Sequence, residues 1–317
     1  MANSLEFEKP IHELEQKVRE LREFSNTQNV DVAHGIKLLE DRIEEERKRI
    51  FSQLTPWQQV QLARHPDRPY FRDYIERLFT DFLELHGDRR YSDDQAMVGG
   101  FARFEGEPVM LVGTQKGRNL QENVRVNFGC AHPEGYRKAL RLMEMAERAR
   151  TPILSFIDTP GAYPGIGAEE RHIAEAIAVN LREMFNFTVP MIAVVIGEGG
   201  SGGALGIGVG NRVLILQHAY YSVITPEGCA AILWRDGAAA PEAAEALKLT
   251  SRDLKRMDII DEIIPEPLGG ANIDWDEAAE NVRKVLKKHL TELRRMDAEK
   301  LQEERYRKFR KMGVFSE

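Results

Sequence analysis

Residues 190–210 read PMIAVVIGEGGSGGALGIGVG, an apolar run that passes through a glycine-rich turn at 197–204 into a stretch of small residues. Without side chains in the way, the backbone N–H groups of such a turn face a cavity. The start of a following helix adds partial positive charge, so the chemistry favoured is anion binding. Three kinds of site share this pattern. Gly197, Gly199 and Gly202 match GxGxxG, the turn of a dinucleotide site. The window about twenty residues on reads QHAYYS, however, and lacks the acidic residue that grips a ribose. Residues 199–203 match GxSxG, with Ser201 as nucleophile. Only His218 and His289 follow it, the first ahead of most candidate acids and the second in a lysine-rich segment, which makes a poor triad. The third kind is an oxyanion hole of backbone amides, in which loss of one donor costs about 3 kcal/mol of transition-state stabilisation. Close packing of a helix on a strand would call for the same glycines.

A second motif favours the oxyanion reading. Residues 158–167 read DTPGAYPGIG, directly after the run ILSFID and ahead of a helical stretch that contains Arg171. Two glycine-rich turns at the ends of neighbouring strands line one cleft, on the face where open α/β layers bind ligands. Such a cleft is walled by backbone rather than by acid–base side chains.

Elements must hold these turns in place. Mostly apolar runs at 108–113, 153–158, 191–196, 213–216 and 220–224 predict buried strands. Helical spacing predicts helices over 70–85, 135–148 and 169–184. Their alternation implies a layered α/β core. At the ends the texture differs. Residues 7–24 and 36–50 carry narrow apolar stripes among many charges, the pattern of a helical hairpin or coiled-coil contact. Val282, Val285, Leu286, Leu290 and Leu293 repeat that pattern near the C-terminus. These stripes would pack on each other, on another subunit, or lie as solvated surface helices.

Composition narrows the function classes. The 317 residues carry 44 basic and 51 acidic side chains, a net charge of −7, so nucleic acid is not expected as a partner. The two cysteines, Cys130 and Cys229, lie far apart with no Cys/His cluster around them, which argues against a zinc site. Neither a signal peptide nor a membrane span is apparent, and a cytoplasmic protein is expected.

IDTPGAYPGIGAEER together with IGEGGSGGALGIGVG closely resembles the alpha subunits of bacterial acetyl-CoA carboxylase carboxyltransferase. The likeness extends to LARHPDRPY, VGTQKGRN, NFGCAHPEGYRKALRLMEMAER, YSVITPEGCAAILW and IIPEPLGGA, and covers nearly the whole chain. It implies an α/β fold with a crotonase-like core of repeated ββα units. That core would span 69–267, between a helical N-terminal extension, 1–68, and C-terminal helices, 268–317. It implies transfer of a carboxyl group from carboxybiotin on a biotin carboxyl carrier protein to acetyl-CoA, giving malonyl-CoA for fatty-acid biosynthesis. The beta subunit would complete an α2β2 assembly, hold the acetyl-CoA enolate and carry the family's zinc. A separate biotin carboxylase would spend the ATP. This chain lacks GxxxxGK[ST], so no P-loop site is expected on it, and no cofactor would be bound to it covalently.

The resemblance places the donors for the biotin ureido oxygen at Gly202 and Gly203. Gly199, Gly200 and Ser201 of the same turn, and Gly161, Ala162, Tyr163, Gly165 and Arg171 of the second, become substrate-binding positions. Arg171 offers a planar fork for the moving carboxylate, or else an ion pair on a helix surface. Lys116 and Arg118 would meet CoA phosphates or carrier acids, or lie in a solvated loop. Glu227 reads as a first-turn stabiliser and Cys229 as a small buried residue. The alternatives are another acyl-CoA such as propionyl-CoA, a serine hydrolase using Ser201, and a non-catalytic scaffold.

Overall fold

The computed structural model describes residues 5–28 and 32–313. Among them run eight strands: β1 (Thr80–Glu84), β2 (Met97–Phe104), β3 (Glu107–Thr114), β4 (Ile153–Thr159), β5 (Met191–Gly200), β6 (Arg212–Leu216), β7 (Tyr220–Ser222) and β8 (Glu262–Ile264). They form one sheet in the order β1-β2-β3-β4-β5-β6-β8, with β7 attached to β5. The first three make an antiparallel meander, and every pairing from β3 onward is parallel. Every residue of β4 and β5 is buried, as their uninterrupted apolar runs demand when both faces of a sheet are covered. Helices Pro133–Arg148 and Ile173–Asn186 pack against this core, with Tyr136, Leu142, Ala176 and Met184 inside it.

The sequence expectations at 108–113, 153–158, 191–196 and 213–216 fall within β3, β4, β5 and β6, whereas that at 220–224 shortens to Tyr220–Ser222. Two helices differ. The stretch 70–85 is helical only over Phe71–Leu78. Phe79 turns extended, with φ −125° and ψ 155°, and the chain then pairs as β1 with the free edge of β2. Strand pairing overrides the helical spacing there, and the rings of Phe79 and Phe104 meet at 5.6 Å. The expected helix 169–184 breaks at His172, whose φ of +63° separates Ile166–Glu170 from Ile173–Asn186.

Near the N-terminus, helices Lys9–Gln28 and Ala33–Ser52 pack together around Ile11, Val18, Ile43 and Phe51. The C-terminal stripe goes elsewhere. On helix Trp275–Leu293, Val282, Leu286, Leu290 and Leu293 join the central core rather than this hairpin. The next helix, Ala298–Arg310, is pinned by Arg305, which is fully buried. Arg305 donates to the carbonyls of Met184 (2.6 Å), Phe187 (2.8 Å) and Val189 (3.1 Å) and to Oδ1 of Asn211 (2.8 Å). It thereby satisfies acceptors at and beyond the end of Ile173–Asn186 that have no helical partner. Burial holds its pKa down, to about 10.

Candidate active site

Strand β5 changes neighbours along its length. Ile192–Val195 pair with β6, whereas residues 198–200 pair with β7. On its other side β5 runs beside β4 as far as Gly199 opposite Thr159, with a bulge before that pair. This is the carboxyl end of β4 and β5, the end at which open α/β sheets bind ligands. Both glycine-rich turns lie there, in backbone contact. A Cβ on Gly200 would lie 2.1 Å from the carbonyl oxygen of Pro160. On Gly203 it would lie 2.4 Å from the carbonyl carbon of Gly161 and 2.5 Å from the nitrogen of Ala162. Gly202 is different, since a Cβ there would meet only Cδ1 of Ile177, at 3.5 Å.

From this turn springs the short helix Ser201–Leu205. Ser201 itself is left-handed, with φ +52°. The N–H groups of Gly202 and Gly203 have no acceptor among the described residues. Ser201 and Gly202 also border an apolar cavity of about 310 Å³ walled by Leu205, Tyr221 and Phe309. Behind the turn, Tyr136 Oη donates to the carbonyl of Gly203 (3.2 Å), and Asn180 Nδ2 donates to that of Gly206 (3.0 Å).

Buried charges tie the two turns to each other. Lys116 Nζ donates to Oδ1 of Asp158 at the end of β4 (2.6 Å) and to Oε2 of Glu198 near the end of β5 (2.7 Å). The same Asp158 oxygen accepts the N–H of Glu198 (2.9 Å). From the end of helix Pro56–Ala63, Arg64 donates to Glu198 Oε1 (2.7 Å), to Glu227 Oε1 (2.5 Å) and to the hydroxyl of Tyr220 (3.2 Å). Burial would push Glu198 up, but the charges of Lys116 and Arg64 overcome it and hold the carboxyl at about 2. Against the same burial, Asp158 and Glu198 hold Lys116 above its ordinary value.

The structure brings together most of the positions singled out in the sequence. Thr159 Oγ1 accepts the N–H of Gly161 (3.1 Å) and donates to the carbonyl of Gly161 (2.7 Å), which closes the second turn. Tyr163 donates its N–H to the carbonyl of Ala131 (3.0 Å), and its ring meets that of His132 at 4.1 Å, tilted by 44°, close over Gly165. Arg171 grips Glu134 with Nε (3.2 Å) and Nη2 (2.8 Å), while Nη1 lies beside Gly167 with no acceptor among the described residues. Hydrogen bonding to Glu134 raises its pKa.

Other candidates take structural places. Lys116 is part of the buried network rather than a solvated loop. Arg118 lies over the rings of Tyr70 (3.9 Å) and Trp275 (4.7 Å) and donates to the carbonyls of Pro66 and Arg68. Glu227 begins helix Pro226–Leu233 and pairs with Arg64, and Cys229 is buried. Neither later histidine serves Ser201. His218 is buried against Phe51, and His289 is bonded to Glu262 and Arg212. Among the described residues no group of three or more His, Cys, Asp or Glu could hold a metal ion, and no helix is long and apolar enough to cross a membrane.

Residues 4–313 match the family described as acetyl co-enzyme A carboxylase carboxyltransferase-like. The acetyl-coenzyme A carboxylase carboxyl transferase subunit alpha of Geobacter metallireducens is 59% identical over 313 residues, which cover 99% of this chain and 98% of that one. Its counterpart from Thermus thermophilus is 56% identical over 313 residues, covering 99% of each. Among solved structures, transcarboxylase 12S with methylmalonyl-coenzyme A and methylmalonic acid bound superposes with a TM-score of 0.57 at 22% identity. That match covers 71% of this chain and 42% of the longer one. The beta subunit of geranyl-CoA carboxylase from P. aeruginosa gives 0.57 at 16% identity, over 78% and 45%. At these identities the two structures speak for the fold.

Proposed function

The chain belongs to the family of acetyl-CoA carboxylase carboxyltransferase alpha subunits, and from that premise we propose that the amides of Gly202 and Gly203 form its oxyanion hole. The fold is crotonase-like, and the activity is biotin-dependent carboxyl transfer to acetyl-CoA, giving malonyl-CoA for fatty-acid biosynthesis. Biotin, when bound, supplies the carboxyl group and a ureido oxygen on which charge develops as that group leaves.

The remaining work falls to this chain's own residues. Gly202 and Gly203 present two N–H groups without acceptors at the point where the turns meet, and this observation carries the reading. Gly202 leaves the approach open, and the cavity beside it has room for an apolar ring system. Gly199, Gly200 and Ser201 shape that wall of the cleft. Gly161, Ala162, Tyr163 and Gly165 shape the opposite one. Arg171 keeps Nη1 for the carboxylate while Glu134 fixes the rest of its fork. Asp158 and Glu198 are tied to Lys116, so neither is placed as a base.

An alpha subunit implies a beta partner. Our reading assigns to that partner the enolate-binding amides and the zinc, in an α2β2 assembly. It adds a biotin carboxyl carrier protein and an ATP-using biotin carboxylase, and it places the assembly in the cytoplasm. A division into 1–68, 69–267 and 268–317 is part of it, supported by the separate apolar cluster of the N-terminal hairpin.

Mixing the chain with its beta partner, free biotin and malonyl-CoA should give biotin-dependent decarboxylation. Gly202→Val should abolish this without unfolding the protein, and full turnover by that variant would remove the oxyanion assignment.

A further inference from the structure

We propose that a second cavity binds a nucleoside phosphate through Arg89, Arg90 and Arg141. It lies between the loop 86–92 and helices Pro133–Arg148 and Ile173–Asn186, and its volume of about 410 Å³ suits a small ligand. The proposal does not depend on the roles of Gly202 and Gly203.

The loop is held rigidly. Asp88 is buried, and its Oδ1 accepts the N–H groups of Arg90 (2.9 Å), Tyr91 (2.8 Å) and Ser92 (3.1 Å). Its Oδ2 takes Nε of Arg137 (2.9 Å). Asp93 accepts the N–H of Gly87 (2.7 Å) and Nζ of Lys138 (2.6 Å). Within this frame Arg89 adopts φ +65°, a conformation that costs a non-glycine residue about 1–3 kcal/mol. The strain sets two adjacent arginines at the rim of the cavity.

Their charge is not neutralised. Arg89 donates to the carbonyl of His86 (2.7 Å), and Arg141 to those of Gly87 (3.0 Å) and His86 (3.2 Å). Among the described residues no carboxylate pairs with Arg89, Arg90 or Arg141, whereas Arg137 has two such partners and Arg182 one. Burial and the nearby charge of Arg89 push the pKa of Arg141 down, against the pull of Asp93 and Asp88. In a chain of net charge −7, unpaired guanidinium groups around a concavity favour an oxyanion whose oxygens a planar fork can span in pairs, such as phosphate.

The rest of the lining asks for more than phosphate. Asn180 is fully buried, and its Nδ2 is engaged by the carbonyls of Tyr136 (3.0 Å) and Gly206 (3.0 Å). Its Oδ1 has no partner and is itself closed off, so Asn180 braces the floor of the cavity rather than meeting a ligand. Glu144 and Glu175 add acceptors, and Leu140 and Val179 add an apolar wall. Phosphate, hydroxyl or amine donors and a flat apolar body together describe a nucleotide. The source is either a free nucleotide or the nucleotide end of a CoA ester.

Calorimetric titration of ADP into the assembled alpha–beta enzyme tests this. ADP should saturate one site per alpha chain with a Kd below about 1 mM, and inorganic phosphate should bind at least tenfold more weakly. Arg90→Ala, whose side chain makes no hydrogen bond among the described residues, should leave the melting temperature unchanged. Combined with Arg141→Ala it should weaken ADP at least tenfold. Displacement of ADP by CoA, with a raised acetyl-CoA KM in the double variant, would identify the CoA ester as the source. Binding that CoA leaves untouched would identify a free nucleotide. The proposal fails if ADP does not saturate, if the double variant binds it as well as the parent, or if phosphate binds equally well. It fails too if the double variant loses only affinity for an acidic carrier protein.

Discussion

Gly202 and Gly203 share a turn but differ in what a side chain would meet. A valine at 203 would press on the backbone of Gly161 and Ala162, so that variant should lose fold and activity together. Gly202→Val is the cleaner probe. Its melting temperature should stay within about 2 °C of the parent, while kcat falls about 100-fold or more, the scale of a lost oxyanion interaction. Ser201→Gly should relieve the left-handed φ, stabilise the chain by about 1 kcal/mol and retain carboxyl transfer. Labelling of Ser201 by a fluorophosphonate would contradict that outcome. These turns were legible in the sequence because glycine records a demand made by the backbone itself. Arg64 and Glu198 escaped, and Lys116 was singled out for another role, because their pairings join residues 82 and 134 positions apart, with no local pattern to mark them. The segments QKGRN and LARHPDRPY stood out only through the family likeness.

Strands β4 and β5 owe the alignment of their ends to one buried ammonium group. Lys116→Met would leave Asp158 without a cation and Glu198 with Arg64 alone, and should cost about 3–5 kcal/mol in urea denaturation. Lys116→Arg should recover part of that stability, since the charge returns in a different shape. Continuous apolar runs announced β3 to β6, because strands covered on both faces carry their burial in composition. The strands β1, β2 and β8 did not announce themselves, whereas β7 did, as part of the longer run 220–224. β1 and β8 are short and owe their existence to the strands they pair with, β2 and β6. The break at His172 was equally silent, for helical spacing continues across it.

At the scale of the whole molecule, buried ionisable groups set the response to acid. Buried cations hold Glu198 and Glu266 at about 2, against an ordinary value of 4.5. A carboxylate depressed in the fold contributes stability above its ordinary pKa and loses it as pH falls toward the folded value. Burial also pushes His218 and His289 below 6.5, so protonation of the unfolded chain penalises folding as pH drops past that point. Melting temperature should therefore fall gently below pH 6.5 and steeply from pH 4.5 toward 2. A flat profile between pH 7 and 5 would contradict the histidine contribution. Amphipathic stripes foretold both terminal helical regions, yet not their destinations, because a stripe specifies burial without naming the surface that covers it. Arg305 gives the C-terminal region a further consequence. The carbonyls it satisfies lie at residues 184–189, just ahead of β5, so the entry to that strand stays unfinished until residue 305 leaves the ribosome. Translation halted earlier should yield chains with an open core, destined for chaperones and proteases rather than for a smaller enzyme.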